Sequence, residues 1–150
     1  MIYLLIGIFI CSAGIAYQDI KSREISLWLI LIFAGFVFWR TYLKSGLELI
    51  GYQFLFSVCY LFISLALIKL YFILTKRGHL RLFEQLFGWG DVLVLIAVGI
   101  GLPVEIQIPF YLVCFILAII GYYLIQSIKT SIPLAVYLVL TYCAYLLMFS

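Results

Sequence analysis

Charge is scarce in this chain: 10% of its 150 residues are charged, nine basic and six acidic, against 68% hydrophobic and a mean hydropathy of +1.30. So few polar groups cannot cover a water-soluble globule of this length, which excludes a soluble domain and leaves an integral membrane protein. There is one histidine, His79, and the cysteines Cys11, Cys59, Cys114 and Cys143 lie inside apolar runs without C-x-x-C spacing. That pattern argues against a zinc site or redox pair, so no metal and no cofactor is expected. No basic face is interleaved with aromatics, and the aromatic residues fall within the apolar runs, so nucleic acid is not an expected partner. The opening run Ile2 to Tyr17 lacks a basic start and a small-residue cleavage signature, and it reads as a retained first span. Internal repeats and low-complexity stretches are also missing, which implies a single membrane domain over 1–150.

What is present is a succession of apolar runs, enough for about six spans of roughly 20 residues each. The first runs from Ile2 to about Gln18. The second starts at Leu27 behind Ser26, a candidate N-cap, and reaches Trp39. The third is expected over Gly51 to Thr75 and the fourth from Asp91 to Leu102, where Pro103, Glu105 and Pro109 predict a tight turn. The fifth covers Phe110 to Ile125, and the last begins near Pro133. The fold class is therefore all-α and polytopic. Hydrophobicity is spread too evenly for its periodicity to assign helix faces, and the many glycines are expected to permit close helix contact.

Basic residues alternate along this layout. The first, third and fifth connections carry Lys21, Arg23, Lys76, Arg77, Arg81 and Lys129, whereas the second and fourth carry only Arg40 and Lys44. The positive-inside rule then puts the odd connections in the cytoplasm and both termini outside. Asp19 and Asp91 thereby share the cytoplasmic face.

Asp91 stands in Gly88-Trp89-Gly90-Asp91 at the mouth of an apolar run, where an ionisable group is costly to keep and marks a candidate site. Asp19 follows the first span. Two carboxylates at one membrane face suit a water-activating dyad, one acting as general base on water and the other as the acid that polarises a carbonyl. Held close, they would share a proton. The helix dipole favours charge on Asp91, at a helix start, and disfavours it on Asp19, at a helix end, so Asp19 is expected to be the more readily protonated member. Lys21 and Arg23 oppose that order. Gly88 and Gly90 are expected to permit a tight bend and the close passage of a substrate strand.

Asp19 with its polar run to Ile25, and G-x-G-D leading into a span, resemble the type IV prepilin peptidases, membrane aspartic proteases of the GxGD type. The Lys129-Thr130-Ser131-Ile132-Pro133-Leu134 approach to the last span extends the resemblance. It implies that Asp19 and Asp91 are catalytic and that the substrate is a prepilin-like precursor with a basic leader and a hydrophobic helix, cut at the cytoplasmic face. It also implies a bacterial or archaeal cytoplasmic membrane and a role in pilus, secretion or competence machinery. The chain departs from the family pattern at Ser26-Leu27, where Pro-Asn is usual, and at Leu93, where Lys is frequent. It has no paired C-x-x-C module, which argues for a peptidase without N-methyltransferase activity.

Lys21, Arg23 and Glu84 are candidates for substrate contact or support. Glu84 either positions Arg81 or a basic leader, or is a solvated loop charge. His79 reads as a solvated interfacial residue. An intramembrane protease of the presenilin kind is the rival within the enzymes, and it would have more spans. A transporter or assembly factor binding a cation or proton through the carboxylates is the rival outside them, and it would show polar residues at mid-membrane depth.

Overall fold

A computed structural model describes residues 2–22, 25–74, 88–124 and 134–149. These residues form helices α1 (Ile2–Lys21), α2 (Leu27–Leu74), α3 (Trp89–Ile100), α4 (Val104–Leu124) and α5 (Leu134–Phe149), with no strand among them. The protein is all-helical, and α1, α2 and α4 contain apolar stretches long enough to cross a membrane. The described parts of α3 and α5 are apolar but shorter. Large side chains such as Tyr3, Trp28 and Leu147 lie outermost, as lipid-facing residues do.

The second and third expected spans form one helical assignment broken at Gly46, with φ 79° and ψ 174°. Glycine suits this break because a Cβ disfavours positive φ. In a straight helix, Val37 and Ser57 would stand about 30 Å apart. Here both reach the same end of α3: a methyl added at Gly101 would lie 2.7 Å from Val37 Cγ1, and one added at Gly99 would lie 2.8 Å from Ser57 Cβ. The chain therefore doubles back at Gly46, and the returning limb starts earlier than the expected Gly51.

The boundaries of the next two helices also differ from expectation. α3 starts at Trp89 rather than Asp91, because Gly88 takes the N-cap. The turn after α3 is confined to Gly101–Pro103, so Glu105 and Pro109 lie inside α4. The Pro103 carbonyl accepts the N–H groups of Ile106 at 3.0 Å and Gln107 at 3.2 Å, starting the helix at once. Pro133 lies outside the described residues.

The core gathers the inward faces of all five helices, including Ile15, Phe33, Val98, Tyr111 and Tyr142. On α1 the buried residues Ile8, Cys11, Ser12, Ile15, Ala16 and Asp19 make one stripe, and α1 packs on α2 and α5. α5 lies between α1, α3 and α4. Phe33 meets the Tyr142 ring edge-on with centroids 6.2 Å apart. Of the cysteines, Cys11, Cys114 and Cys143 are buried and Cys59 is exposed; all four are free thiols. Gly35, expected to permit a close helix contact, has open space where its Cβ would be.

Candidate active site

Gly88 caps α3 in an extended conformation, φ −74° and ψ 147°, with its C=O accepting the N–H groups of Asp91 at 3.1 Å and Val92 at 3.4 Å. Asp91 lies in the first turn, where backbone N–H groups lack intrahelical partners. Its carboxylate folds back so that Oδ2 accepts the Gly88 N–H at 3.3 Å. The other oxygen, Oδ1, accepts the N–H of Ala135 at 2.8 Å from the start of α5. Asp91 thus receives backbone donors from two separate segments while only 8% of its surface is exposed.

Asp19 occupies the last turn of α1 and is 6% exposed. The chain then turns through a short clamp. Gln18 Oε1 accepts the Ser26 N–H at 2.8 Å, and Ser22 Oγ donates to the Gln18 carbonyl at 3.0 Å. Ser26 begins α2 as an N-cap whose C=O accepts the Leu29 N–H at 3.0 Å. Ile25, held in this turn, lies against Gly90: a methyl added there would be 3.1 Å from Ile25 Cδ1. The contact seats the Asp91 end of α3 on the turn that follows Asp19, so both buried carboxylates occupy one end of the bundle.

Neither glycine makes the tight bend expected of it. The φ of Gly88 is open to any residue, and Gly90 is helical. Gly90 instead permits close approach to Ile25. Lys21 is exposed and turns back along α1, where Nζ donates to Tyr17 Oη at 3.1 Å and sits 5.3 Å from the Tyr17 ring centroid. Arg23, His79 and Glu84 lie outside the described residues. The turn after α1 holds a shallow recess of about 340 Å³ lined by Gln18, Ser22, Ile25 and Ser26. Among the described residues, no group of three or more His, Cys, Asp or Glu side chains is placed to hold a metal ion.

Several residues here escaped the sequence reading. Gln18 had a signal, being an amide beside a membrane-edge carboxylate. Ala135 had none, since it contributes a backbone N–H. A second polar cluster lies at the other end of α3. Gln107 Nε2 donates to the Gly99 carbonyl at 2.8 Å and the Leu102 carbonyl at 3.1 Å. Ser57 Oγ stands 2.9 Å from the Gln53 carbonyl and 3.0 Å from Gln107 Oε1. Tyr111 Oη donates to the Leu95 carbonyl at 3.2 Å. These side chains sit in apolar runs where spacing gives no warning of them.

The family model described as the type IV leader peptidase family matches residues 4–125, a span that holds Asp19, Gly88, Gly90 and Asp91. No curated protein and no solved structure matches the chain.

Proposed function

The chain belongs to the type IV leader peptidase family, and on that premise we propose that it is an aspartic endopeptidase with Asp19 and Asp91 as its catalytic pair. Its substrates are prepilin-like precursors, and it removes their basic leader at the cytoplasmic face of a bacterial or archaeal membrane. The observation that carries this reading is the burial of both aspartates at one end of an apolar helix bundle, joined there by the Gly90–Ile25 contact. Six membrane passages follow if α1, the two limbs of α2, α3, α4 and α5 each cross once. The reversal at Gly46 supports that count, and the excess of basic residues on alternate connections supports a cytoplasmic site with both termini outside.

Asp91 is the base in this scheme. Its oxygens already accept the N–H groups of Gly88 and Ala135, which compensate a carboxylate charge where bulk water is excluded. It takes a proton from water as the water oxygen attacks the scissile carbonyl carbon. Asp19, carrying a proton, donates to the carbonyl oxygen as charge develops on it. The proton gained by Asp91 then passes to the leaving amine as the C–N bond breaks, and the hydroxyl formed on the former carbonyl oxygen returns its proton to Asp19 as the C=O bond re-forms. The substrate's hydrophobic helix lies against the bundle in lipid, and its extended leader passes the recess beside Gln18 and Ser26. The polar cluster of Gln53, Ser57, Gln107 and Tyr111 is neutral, and the charge buried near it, Arg40 beside Tyr142, is itself a cation, so this end lends no support to cation carriage.

The test is co-expression with a prepilin, comparing wild type with Asp19→Ala and Asp91→Ala on a gel that resolves the leader. Cleavage by wild type alone is expected. Leader removal by either variant would refute the pair.

A further inference from the structure

We infer that the backbone N–H of Ala135 is a positioning donor for Asp91, so that this one main-chain group of α5 joins the catalytic assembly. The inference rests on the reading of Asp91 as a catalytic carboxylate and adds to it a residue with no functional side chain.

Three observations carry it. The hydrogen bond is short, 2.8 Å, and both partners are buried, Ala135 completely. A buried N–H in the first turn of a helix has no intrahelical acceptor and must find another. The acceptor it meets is a carboxylate from a different helix, so the bond is charge-assisted when Asp91 is ionised. Second, the carboxylate is gripped at both oxygens from different segments, Oδ2 by Gly88 N–H and Oδ1 by Ala135 N–H. Torsion about the Cβ–Cγ bond of aspartate is otherwise broad, and two donors from separate segments fix the plane that one would leave to swing. Third, the donor is held independently of Asp91. Leu134, Ala135 and Val136 are all buried, and one helical stretch further on Tyr142 packs against Phe33 and the Gly101 backbone. A donor fixed by packing before the reaction begins is a preorganised one.

The test replaces the Ala135 residue by lactate, exchanging its N–H for an ester oxygen, in protein reconstituted into lipid nanodiscs with a prepilin as substrate. A fall in kcat of roughly 10- to 100-fold with KM unchanged is expected for loss of one charge-assisted bond. Ala135→Pro, which also lacks the N–H and sits where a helix tolerates proline, should fall with it. The same ester exchange at Val136 controls for backbone damage and should leave kcat near wild type. A folded lactate variant with wild-type kcat overturns the inference, as does an equal loss in the Val136 control. A second measurement reads the bond without turnover: amide hydrogen exchange at ¹⁵N-labelled Ala135 should quicken in Asp91→Ala and not in Asp19→Asn. Unchanged exchange in Asp91→Ala overturns the inference whatever the activity. A wild type that cleaves no prepilin overturns the proposed function, and the exchange experiment then still decides the hydrogen bond.

Discussion

The two ends of α3 are built from opposite materials. At its N-terminal end, which Ile25 joins to an open recess lined also by Gln18, Ser22 and Ser26, a carboxylate meets backbone N–H groups from Gly88 and Ala135. Toward its C-terminal end, backbone carbonyls meet neutral side chains, Gln107 on Gly99 and on Leu102 of the following turn and Tyr111 on Leu95, in a site closed by glycine contacts, with the one buried charge described there, Arg40 beside Tyr142, a permanent cation. Helix ends leave orphan groups in both directions, and in lipid each must be answered by protein. The closed end uses its polar groups on the helix itself. The open end keeps an ionisable group, a carboxylate that can take up and release a proton, and that capacity is what chemistry can use.

Substitutions at the two ends should separate along this line. Asp91→Asn should lower cleavage by about 10²- to 10⁴-fold, the usual range for a lost general base, while SDS-unfolding in mixed micelles stays close to wild type. Asparagine retains an oxygen acceptor for Ala135 N–H, and a large loss of stability would erase the contrast. Gly99→Leu should do the reverse, because even its first carbon would collide with Ser57 Oγ and Tyr111 Oη. Its cost should be about 3 kcal/mol of unfolding free energy, at the upper end for overpacking. Gln107→Leu strips the side-chain donor from the carbonyls of Gln53, Gly99 and Leu102 and should cost about 2 kcal/mol by the same measurement. Retained stability in that variant would mean the cluster is incidental. Gly88→Ala should be the mildest: among the described residues the added methyl meets Asp91 Oδ2 at 3.6 Å and Gly90 N at 3.9 Å, both ordinary contacts. Cleavage should stay within about threefold of wild type, less than 1 kcal/mol in barrier.

Charge made the open end legible in the sequence. Asp19 and Asp91 interrupt apolar runs, and the distribution of lysine and arginine suggested a common face before any helix was placed. The closed end was opaque for the complementary reason. In lipid the outward residues are as apolar as the inward ones, so Gln53, Ser57 and Gln107 carry no periodic signature and the buried stripe of α1 cannot be picked out from its neighbours. Helix limits were misjudged where glycine and proline were read as punctuation. Gly46 reverses the chain within a few residues where a longer polar connection was expected, and Pro109 is carried inside α4. Of the roles expected for Gly88 and Gly90, the tight bend is not what the backbone makes, since one caps a helix and the other is helical and clears space for Ile25.

The clearance at Gly90 has an evolutionary corollary. With Ile25 Cδ1 3.1 Å from where a methyl would stand, alanine at 90 requires the Ile25 side chain to yield by a few tenths of an ångström, and the sizes at positions 25 and 90 are coupled. Alanine at 90 should be accommodated more readily with valine or a smaller residue at 25, since neighbours that share one space have non-additive effects. Far apart in the chain, the two positions should therefore carry a correlated history of size, with glycine at 90 surviving wherever isoleucine persists at 25.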